Sequence, residues 1–267
     1  MDRYLPLRAL ASRLPLVIAL ARREIVGRYR GSMLGLFWSF VNPLLMLSVY
    51  TFVFSMVFKA RWGGAPSSRF DFALTLFCGL IFFNLFAECA TKAPNLILSN
   101  VNFVKKVIFP LEILPLVSYL SALFHAAISL GVLLIFLFIL GPAPSWTILL
   151  LPLILVPFSL MILGFSWLLS SIGVYLRDIG QFIGMGMTVL MFMSPIFYPA
   201  SALPERIRGY LFLNPLVFVI EEARKLLLQG QWPDWQGLFY YSAASLLVFI
   251  SGYSWFQKTR KGFADVL

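Results

Sequence analysis

Residues 19–54, ALARREIVGRYRGSMLGLFWSFVNPLLMLSVYTFVF, contain the sharpest change of character in the chain. Arginines crowd the first part of this stretch and stop before Gly31, and from there to Phe58 no charged residue occurs. A charged side chain is costly inside hydrocarbon, so such a border predicts the point at which a chain enters a lipid bilayer. The stretch therefore predicts a first membrane span preceded by a basic segment.

The composition of the whole chain favours the same solvent. Of the 267 residues, 60% are hydrophobic and 12% are charged, and the mean hydropathy is +0.89. Soluble domains use about 45–50% apolar residues, so a soluble protein of this length would leave much apolar surface in water. The formal net charge of +10 does not indicate nucleic-acid binding, because the basic residues adjoin apolar runs and form no continuous stripe.

Six apolar stretches have the length of a membrane span, for which a helix needs about 20 residues. Helices are expected because every backbone polar group must be hydrogen-bonded inside lipid. The sequence predicts an all-α integral membrane protein with a single transmembrane domain over 1–267. It places an amphipathic interfacial helix in 1–31, short extracytoplasmic helices in 200–235, between spans five and six, and a cytoplasmic tail in 257–267. The predicted spans are 32–58, 70–92, 111–140, 147–176, 179–199 and 236–256.

The distribution of Lys and Arg predicts the orientation of these spans. Six spans put both termini on one side of the membrane, and fourteen of the 21 Lys and Arg residues fall on that side, against seven on the other. Basic residues concentrate in cytoplasmic loops. Both termini are therefore expected in the cytoplasm.

The basic segment before the first span predicts a helix lying along the cytoplasmic headgroups. Pro15 suits a first helical position, and Ser12 suits a cap before it. The apolar residues that follow repeat at helical spacing, and they are Val17, Ile18, Ala21 and Ile25. The helix is interpreted either as a simple membrane anchor or as an anchor that also contacts a cytoplasmic partner.

The connection between spans two and three, APNLILSNVNFVKKVIFPLEILP (93–115), is longer than a plain loop needs to be. Polar residues that suit helix caps precede a short apolar run beside two lysines, and Pro110 ends any helix there. Apolar side chains in cytoplasmic water favour a docking surface, although Phe103 in the headgroup region is the alternative. The candidate contact residues are Ser99, Asn100, Asn102, Phe103, Lys105 and Lys106.

The outer segment between spans five and six predicts a charged amphipathic helix that is too short to span. Asn214 and Pro215 suit a cap and a first-turn proline, and Gly230 suits a stop. This helix is expected to lie at the outer interface or to dip into the membrane and to act as a gate, with Glu222 and Arg224 accessible from outside. The gate residues are Glu221, Glu222, Arg224 and Lys225.

Catalytic and metal chemistry find little support in the residue types. No Gly-Lys-Ser or Gly-Lys-Thr occurs, so the chain has no P-loop and ATP must be hydrolysed elsewhere if transport uses it. The only histidine, His125, lies within span three and is interpreted as a neutral residue hydrogen-bonded between helices, with an intramembrane functional role as the alternative. With Cys78 and Cys89 alone beside it, it makes a poor metal site. We expect no metal, no cofactor on this chain and no enzymatic activity.

Several motifs in order resemble the membrane subunit of type-2 ABC exporters for lipid-linked polysaccharides such as O-antigens, capsules and teichoic acids. The motifs are RREIVGRYRGSMLGLFWSFVNPL (22–44), FVKKVIFPLEILPL (103–116), SPIFYP (194–199), NPLVFVIEEAR (214–224) and GFADVL (262–267). The resemblance implies a homodimer in the bacterial inner membrane, with separate ATPase subunits that bind ATP and Mg²⁺ beneath it. It implies a channel for a polyprenyl-diphosphate-linked glycan, most of all O-antigen, and it makes 93–115 the ATPase-coupling segment.

A glycan channel would use aromatic faces, on which sugar C–H surfaces stack. Most of the aromatic residues suit interfacial anchoring or packing. The candidates for the channel are Phe37, Trp38 and Phe40 at its cytoplasmic mouth, with Phe197 and Tyr198 at its exit.

Two rival functions stay open at this stage. A secondary transporter of a lipid or sugar should show internal repeats and buried ionisable residues, and the chain has no convincing repeat. A membrane glycosyltransferase or ligase should show clustered acids or a basic diphosphate pocket, for which Arg206, Arg208 and Arg224 are the nearest match.

Overall fold

A computed structural model describes residues 7–53, 70–105, 109–140, 145–202, 204, 209, 211 and 214–267. Some of the predicted features lie wholly or partly outside these residues. They include residues 1–6 of the N-terminal helix segment, the last residues of the first predicted span (54–58), Lys106 of the coupling segment, and parts of the outer segment, among them Arg206 and Arg208 of the rival basic pocket.

Helices form almost all of the described chain, and no strand occurs among the described residues, which confirms the all-α prediction for them. The α-helices are α1 (Leu7–Arg28), α2 (Trp38–Tyr50), α3 (Asp71–Leu96), α4 (Val101–Lys105), α5 (Ile113–Leu140), α6 (Leu151–Tyr175), α7 (Ile179–Met193), α8 (Pro215–Arg224), α9 (Trp235–Thr259) and α10 (Phe263–Val266). Short 3-10 turns occur at Gly35–Phe37, Leu98–Asn100, Trp146–Leu150, Ala200–Ala202 and Arg260–Gly262, and a π turn at Lys225–Gln229 extends α8.

Four helical stretches among the described residues are long and apolar enough to cross a membrane: Gly35–Val53, Asp71–Leu96, Ile113–Ile139 and Trp146–Tyr175. They coincide with the first four predicted spans. The fifth predicted span contains the shorter apolar helix α7, of 15 residues. The sixth contains α9, which is 25 residues long but less apolar than the other spans because it includes serines and tyrosines.

The central helix of the fold is α3, which packs against α2, α5, α6, α7 and α8. Glycines allow close backbone contact between helices of the bundle, as is common in membrane proteins. A Cβ atom added to Gly252 of α9 would lie 2.1 Å from the carbonyl oxygen of Gly164 in α6, and one added to Gly173 of α6 would lie 2.1 Å from the carbonyl oxygen of Pro94 in α3. Larger residues at these positions would force the helices apart.

The N-terminal helix differs from the prediction at its start. It begins at Leu7, so Pro15 lies inside the helix and does not open it, and Ser12 is not its cap. A proline inside a helix removes one backbone hydrogen bond, and tertiary packing offsets that loss here. Val17 and Ala21 are buried against Ile113 and Val117 of α5.

The polar face of α1 is as predicted, since Arg22 and Arg23 are exposed. Ile18, expected on the apolar face with Val17, is 55% exposed.

Candidate functional site

The predicted coupling segment folds as a compact turn followed by a one-turn helix. Its 3-10 turn is held by hydrogen bonds back to α3, in which Ser99 Oγ donates to the carbonyl oxygen of Asn95 at 2.8 Å and Asn100 Nδ2 to that of Leu96 at 2.9 Å. These side chains satisfy the carbonyls that a helix end leaves unpaired. The prediction of a short helix here is confirmed by α4.

The residues predicted to contact an ATPase occupy two different environments. Ser99, Asn102 and Lys105 are exposed, whereas Phe103 is half-buried. The ring of Phe103 stacks on Phe109, with 4.3 Å between centroids and 14° between planes. Phe103, the predicted apolar anchor of α4, therefore packs partly within its own loop. Its role in docking stays a prediction.

The C-terminal tail is folded and contacts the coupling segment, because α10 packs against α4. Phe263 is fully buried between Phe256 of α9 and Tyr175 of α6, with ring centroids 5.6 and 6.0 Å away. The Tyr175 hydroxyl also donates to the carbonyl oxygen of Thr259 at 2.9 Å. The tail thus packs between α4 and the C-terminal ends of α6 and α9.

A buried carboxylate next to the coupling segment holds three separate parts of the chain. Glu112 accepts from Arg13 of α1 at 2.6 Å and from Arg260 of the tail at 3.0 Å. Its backbone carbonyl accepts from Trp167 Nε1 at 2.9 Å. Glu112 was not predicted from the sequence, since its partners are about 50 to 150 residues away and leave no local signal.

The outer helix α8 begins and ends as predicted. The Asn214 side chain accepts from the backbone N–H of Leu216 at 2.9 Å, and Pro215 follows as the first helical residue. The π turn that extends α8 ends at Gly230, whose φ of 64° is one that glycine adopts without strain. The Asn214 amide also donates to Ser194 Oγ at 2.9 Å, which ties α8 to the end of α7.

Arg224 is the main tie between the outer segment and the helix bundle. Its guanidinium donates to the carbonyl oxygens of Thr75 in α3 at 3.1 Å and of Ile196 after α7 at 3.2 Å. A third bond joins it to the carbonyl oxygen of Pro195. Gly79 leaves the space for it, because an added Cβ would lie 2.9 Å from Arg224 Nη2.

The predicted accessibility of the gate residues is wrong for two of them. Arg224 is 1% exposed and Glu222 is 2% exposed. The physical reason is helical periodicity, since Arg224 lies one turn after Ile220 and shares its buried face. Burial lowers the pKa of Arg224, against the opposing effect of the Glu221 carboxylate. Burial likewise raises the pKa of Glu221, although Arg224 and Lys225 act in the other direction.

The ion pairs of α8 fix the start of the last long helix. Lys225 pairs with Glu222, and Glu221 lies 3.4 Å from Arg224, so the carboxylates pair at i, i+3. The second oxygen of Glu222 accepts from the backbone N–H of Asp234 at 2.9 Å. Asp234 in turn caps α9 through the backbone N–H groups of Gln236 and Gly237. One buried carboxylate therefore links α8 to α9.

The predicted channel aromatics lie on or next to two sparsely buried helices on the flanks of α3. Within Ile179–Met193, all of which is described, no residue of α7 is buried by the rest of the described chain, and in α2 only Ser39 and Leu47 are. Phe37 is 59% exposed, and its ring centroid lies 6.3 Å from that of Phe40. Trp38 and Phe40 are half-buried.

The aromatics predicted at the exit pack on the end of α7. Phe197 stacks on Phe192, with 5.7 Å between centroids, and the Tyr198 hydroxyl donates to the carbonyl oxygen of Phe192 at 2.8 Å. Phe192 itself is 60% exposed. The structure therefore presents apolar and aromatic faces on α2 and α7 that this single chain does not cover.

Long apolar helices packed in a bundle, with a further segment hydrogen-bonded to that bundle, are typical of a membrane protein. The sequence profile described as "ABC-2 type transporter" matches residues 15–228, so the chain belongs to that family. The match runs from α1 through the π turn after α8.

Curated relatives align with this chain over nearly its whole length. It is 28% identical over 257 residues to a Klebsiella pneumoniae protein named O-antigen export system permease protein RfbA, covering 94% of this chain and 95% of the relative. A Myxococcus xanthus protein of the same name is 28% identical, with 94% of each chain covered. The capsule polysaccharide export inner-membrane protein CtrC of Neisseria meningitidis is 23% identical, with 91% of each chain covered.

Proposed function

We propose that this chain is the membrane subunit of an ATP-driven exporter that moves a lipid-linked polysaccharide, most of all O-antigen, across the bacterial inner membrane. The observation that carries this proposal is the near full-length similarity to permeases named for O-antigen and capsule export. The shared length matters because a channel is built from all of its helices. A fragmentary match would support only one part of it.

The permease works as a homodimer in which the exposed faces of α2 and α7 enclose the channel. Both helices flank α3 and bury few of their own residues within one chain. A second copy would cover these faces and leave the aromatics Phe37 and Phe192 along the path. Stacking on such rings suits a polymer of sugars, because it does not demand one fixed hydrogen-bond pattern.

The chain crosses the membrane six times, with both termini in the cytoplasm. Under this arrangement α1, α4 and α10 share the cytoplasmic side, and α8 lies on the outer side. The excess of Lys and Arg on the side of the termini supports it. The fifth and sixth spans are α7 and α9.

A separate ATPase subunit binds beneath α4 and α10 and hydrolyses ATP with Mg²⁺. Its conformational change can act on the channel only through contacts whose free energy differs between its states. The packing of α10 on α4, and the ion pairs of Glu112 just after it, give such a contact a mechanical path to α1, α6 and α9.

The relatives favour this proposal over the two rival functions, since they are named as export permeases and not as secondary transporters or glycosyltransferases. The test is deletion of the gene for this chain in a bacterium that carries it. The expected result is loss of surface polysaccharide with accumulation of its lipid-linked form inside, restored by the wild-type gene. Normal surface polysaccharide in the deletion strain would overturn the proposal.

A further inference from the structure

A cavity of about 550 Å³ lies between the end of α1 and the helices α2, α3 and α5. It differs from the aromatic faces described above, because charged and amide side chains line it beside apolar residues. Its polar and charged lining residues include Tyr29, Asn42, Asn84, Glu88, Lys92 and His125. Its volume is within the range of about 300–1,000 Å³ typical of sites for small ligands.

The charges at this cavity are already paired with each other. Glu88 accepts from Arg28 and from Lys92, each at 2.8 Å, and Lys92 also lies 3.1 Å from Glu24. Two carboxylates thus balance two cations. A phosphate group would meet repulsion from Glu88, which lines the cavity, and would have to displace it from both cations, so the cavity does not suit an anion.

The uncharged polar groups are different, since several have no partner within the described chain. Asn84 is exposed in the middle of α3, whose neighbouring residues are buried, and Asn42 is exposed on α2. Neither amide makes a side-chain hydrogen bond to any described residue. His125 Nδ1 lies 3.4 Å from the Tyr29 hydroxyl, and its Nε2 is buried without a partner among the described residues.

Amides without hydrogen-bond partners in two apolar helices need an explanation. A polar group that faces hydrocarbon without a hydrogen bond costs about 2–7 kcal/mol, depending on the reference state. Both amides line one cavity, so a single polar occupant would satisfy them together.

We propose that this cavity binds a hydroxyl-bearing sugar ring of the transported glycan. The inference rests on the proposed function and adds a binding site to it. Amides offer both donors and acceptors, as sugar hydroxyls do, so each can pair with the other in either sense. The rings of Tyr50 and Phe77 in the same wall supply apolar faces for the C–H surface of the sugar.

The direct test is site-specific photo-crosslinking in cells that make the glycan. The photoreactive residue p-benzoylphenylalanine replaces Asn42 or Asn84, and in a control it replaces Ile135, which is 49% exposed on α5 and outside the cavity. After irradiation the chain is purified and probed for a periodate-sensitive increase in mass. We expect adducts from the two cavity positions, none from the control, and none in a strain whose glycan synthesis is blocked.

The functional test removes hydrogen-bonding capacity without removing volume. Asn84→Leu places an apolar side chain in a membrane helix, so a merely structural Asn84 predicts unchanged or higher stability and unchanged export. The proposal predicts unchanged membrane abundance and export reduced about fivefold, the worth of roughly one hydrogen bond. The matched control is Ser251→Ala, an exposed polar residue of α9 whose hydroxyl bonds its own helix.

The outcomes separate this inference from the proposed function. Absence of adducts at both asparagines, with wild-type export in Asn84→Leu, would overturn the sugar site and show a cavity that holds only water. The proposed function would still stand if deletion of the gene abolished surface polysaccharide. Failure of deletion to affect surface polysaccharide would overturn both.

Discussion

Arg224→Met is the substitution whose effect follows most directly from the structure. Methionine has similar length and can occupy the apolar part of the Arg224 site, but it donates no hydrogen bond. The change leaves the carbonyl oxygens of Thr75, Pro195 and Ile196 buried without this donor. It also removes the cation 3.4 Å from Glu221.

The magnitude comes from two opposing contributions. A hydrogen bond to a charged group contributes about 1.5–3 kcal/mol, and loss of the contact with Glu221 adds about 1 kcal/mol or less because that carboxylate is 34% exposed. Relief of the desolvation of Arg224 and the apolar burial of methionine offset part of this. We expect the free energy of unfolding to fall by about 3 kcal/mol, most of it from separation of α8 from α3 and from the turn after α7.

The assay is reversible unfolding of the purified chain in mixed micelles, by titration with sodium dodecyl sulfate. Arg22→Met is the control, because Arg22 is an exposed arginine of α1, and it should change the free energy of unfolding little. Arg224→Lys should fall between wild type and Arg224→Met, since a lysine keeps the charge but not the planar fork of donors. Wild-type stability in Arg224→Met would refute the role assigned to this residue.

Three further predictions concern the two ends of the molecule. Phe103→Ala should reduce ATPase association and export more than Lys105→Ala at equal membrane abundance, because buried interface aromatics contribute about 2 kcal/mol or more and rim charges less; equal effects would contradict a docked aromatic. Glu112→Gln should weaken the attachment of the N-terminal helix and the tail. The free energy of unfolding should fall by only about 1 kcal/mol, because both partner arginines are substantially exposed. Limited trypsin digestion should then cut both ends faster, and an unchanged digestion pattern would contradict the role of Glu112 in holding them. In a cysteine-free background, Gln231→Cys should react with a membrane-impermeant thiol reagent added outside, and Ala223→Cys should not. The reason is that Gln231 is exposed and Ala223 fully buried. Labelling of Ala223→Cys but not of Gln231→Cys would contradict the orientation given to this segment.

Local signals in the sequence predicted the features that local chemistry determines. Asn214 followed by Pro215 predicted the start of α8, and Gly230 predicted the end of its π extension, because caps depend on backbone groups a few residues away. The length and apolar character of the first four spans were visible for the same reason.

Features that depend on distant partners could not be predicted in the same way. The partners of Glu112 come from α1 and from the tail, and no spacing in the sequence indicates them. The helix α1 was predicted to start at Pro15 but begins at Leu7, and Arg13 before the proline is held by Glu112, a distant partner that no local signal indicates. The burial of Arg224 had a signal in its i, i+4 relation to Ile220, but its charge favoured the exposed face.

Transport in vesicles rebuilt from purified parts would show whether this chain exports a glycan together with an ATPase. The chain is reconstituted with its co-purified ATPase and with the lipid-linked glycan that accumulates in the deletion strain, and exposure of the glycan on the opposite face is followed with a membrane-impermeant lectin. We expect exposure that requires ATP, the ATPase and this chain together. Exposure driven by a proton gradient with this chain alone, or chemical modification of the glycan in place of its movement, would contradict it.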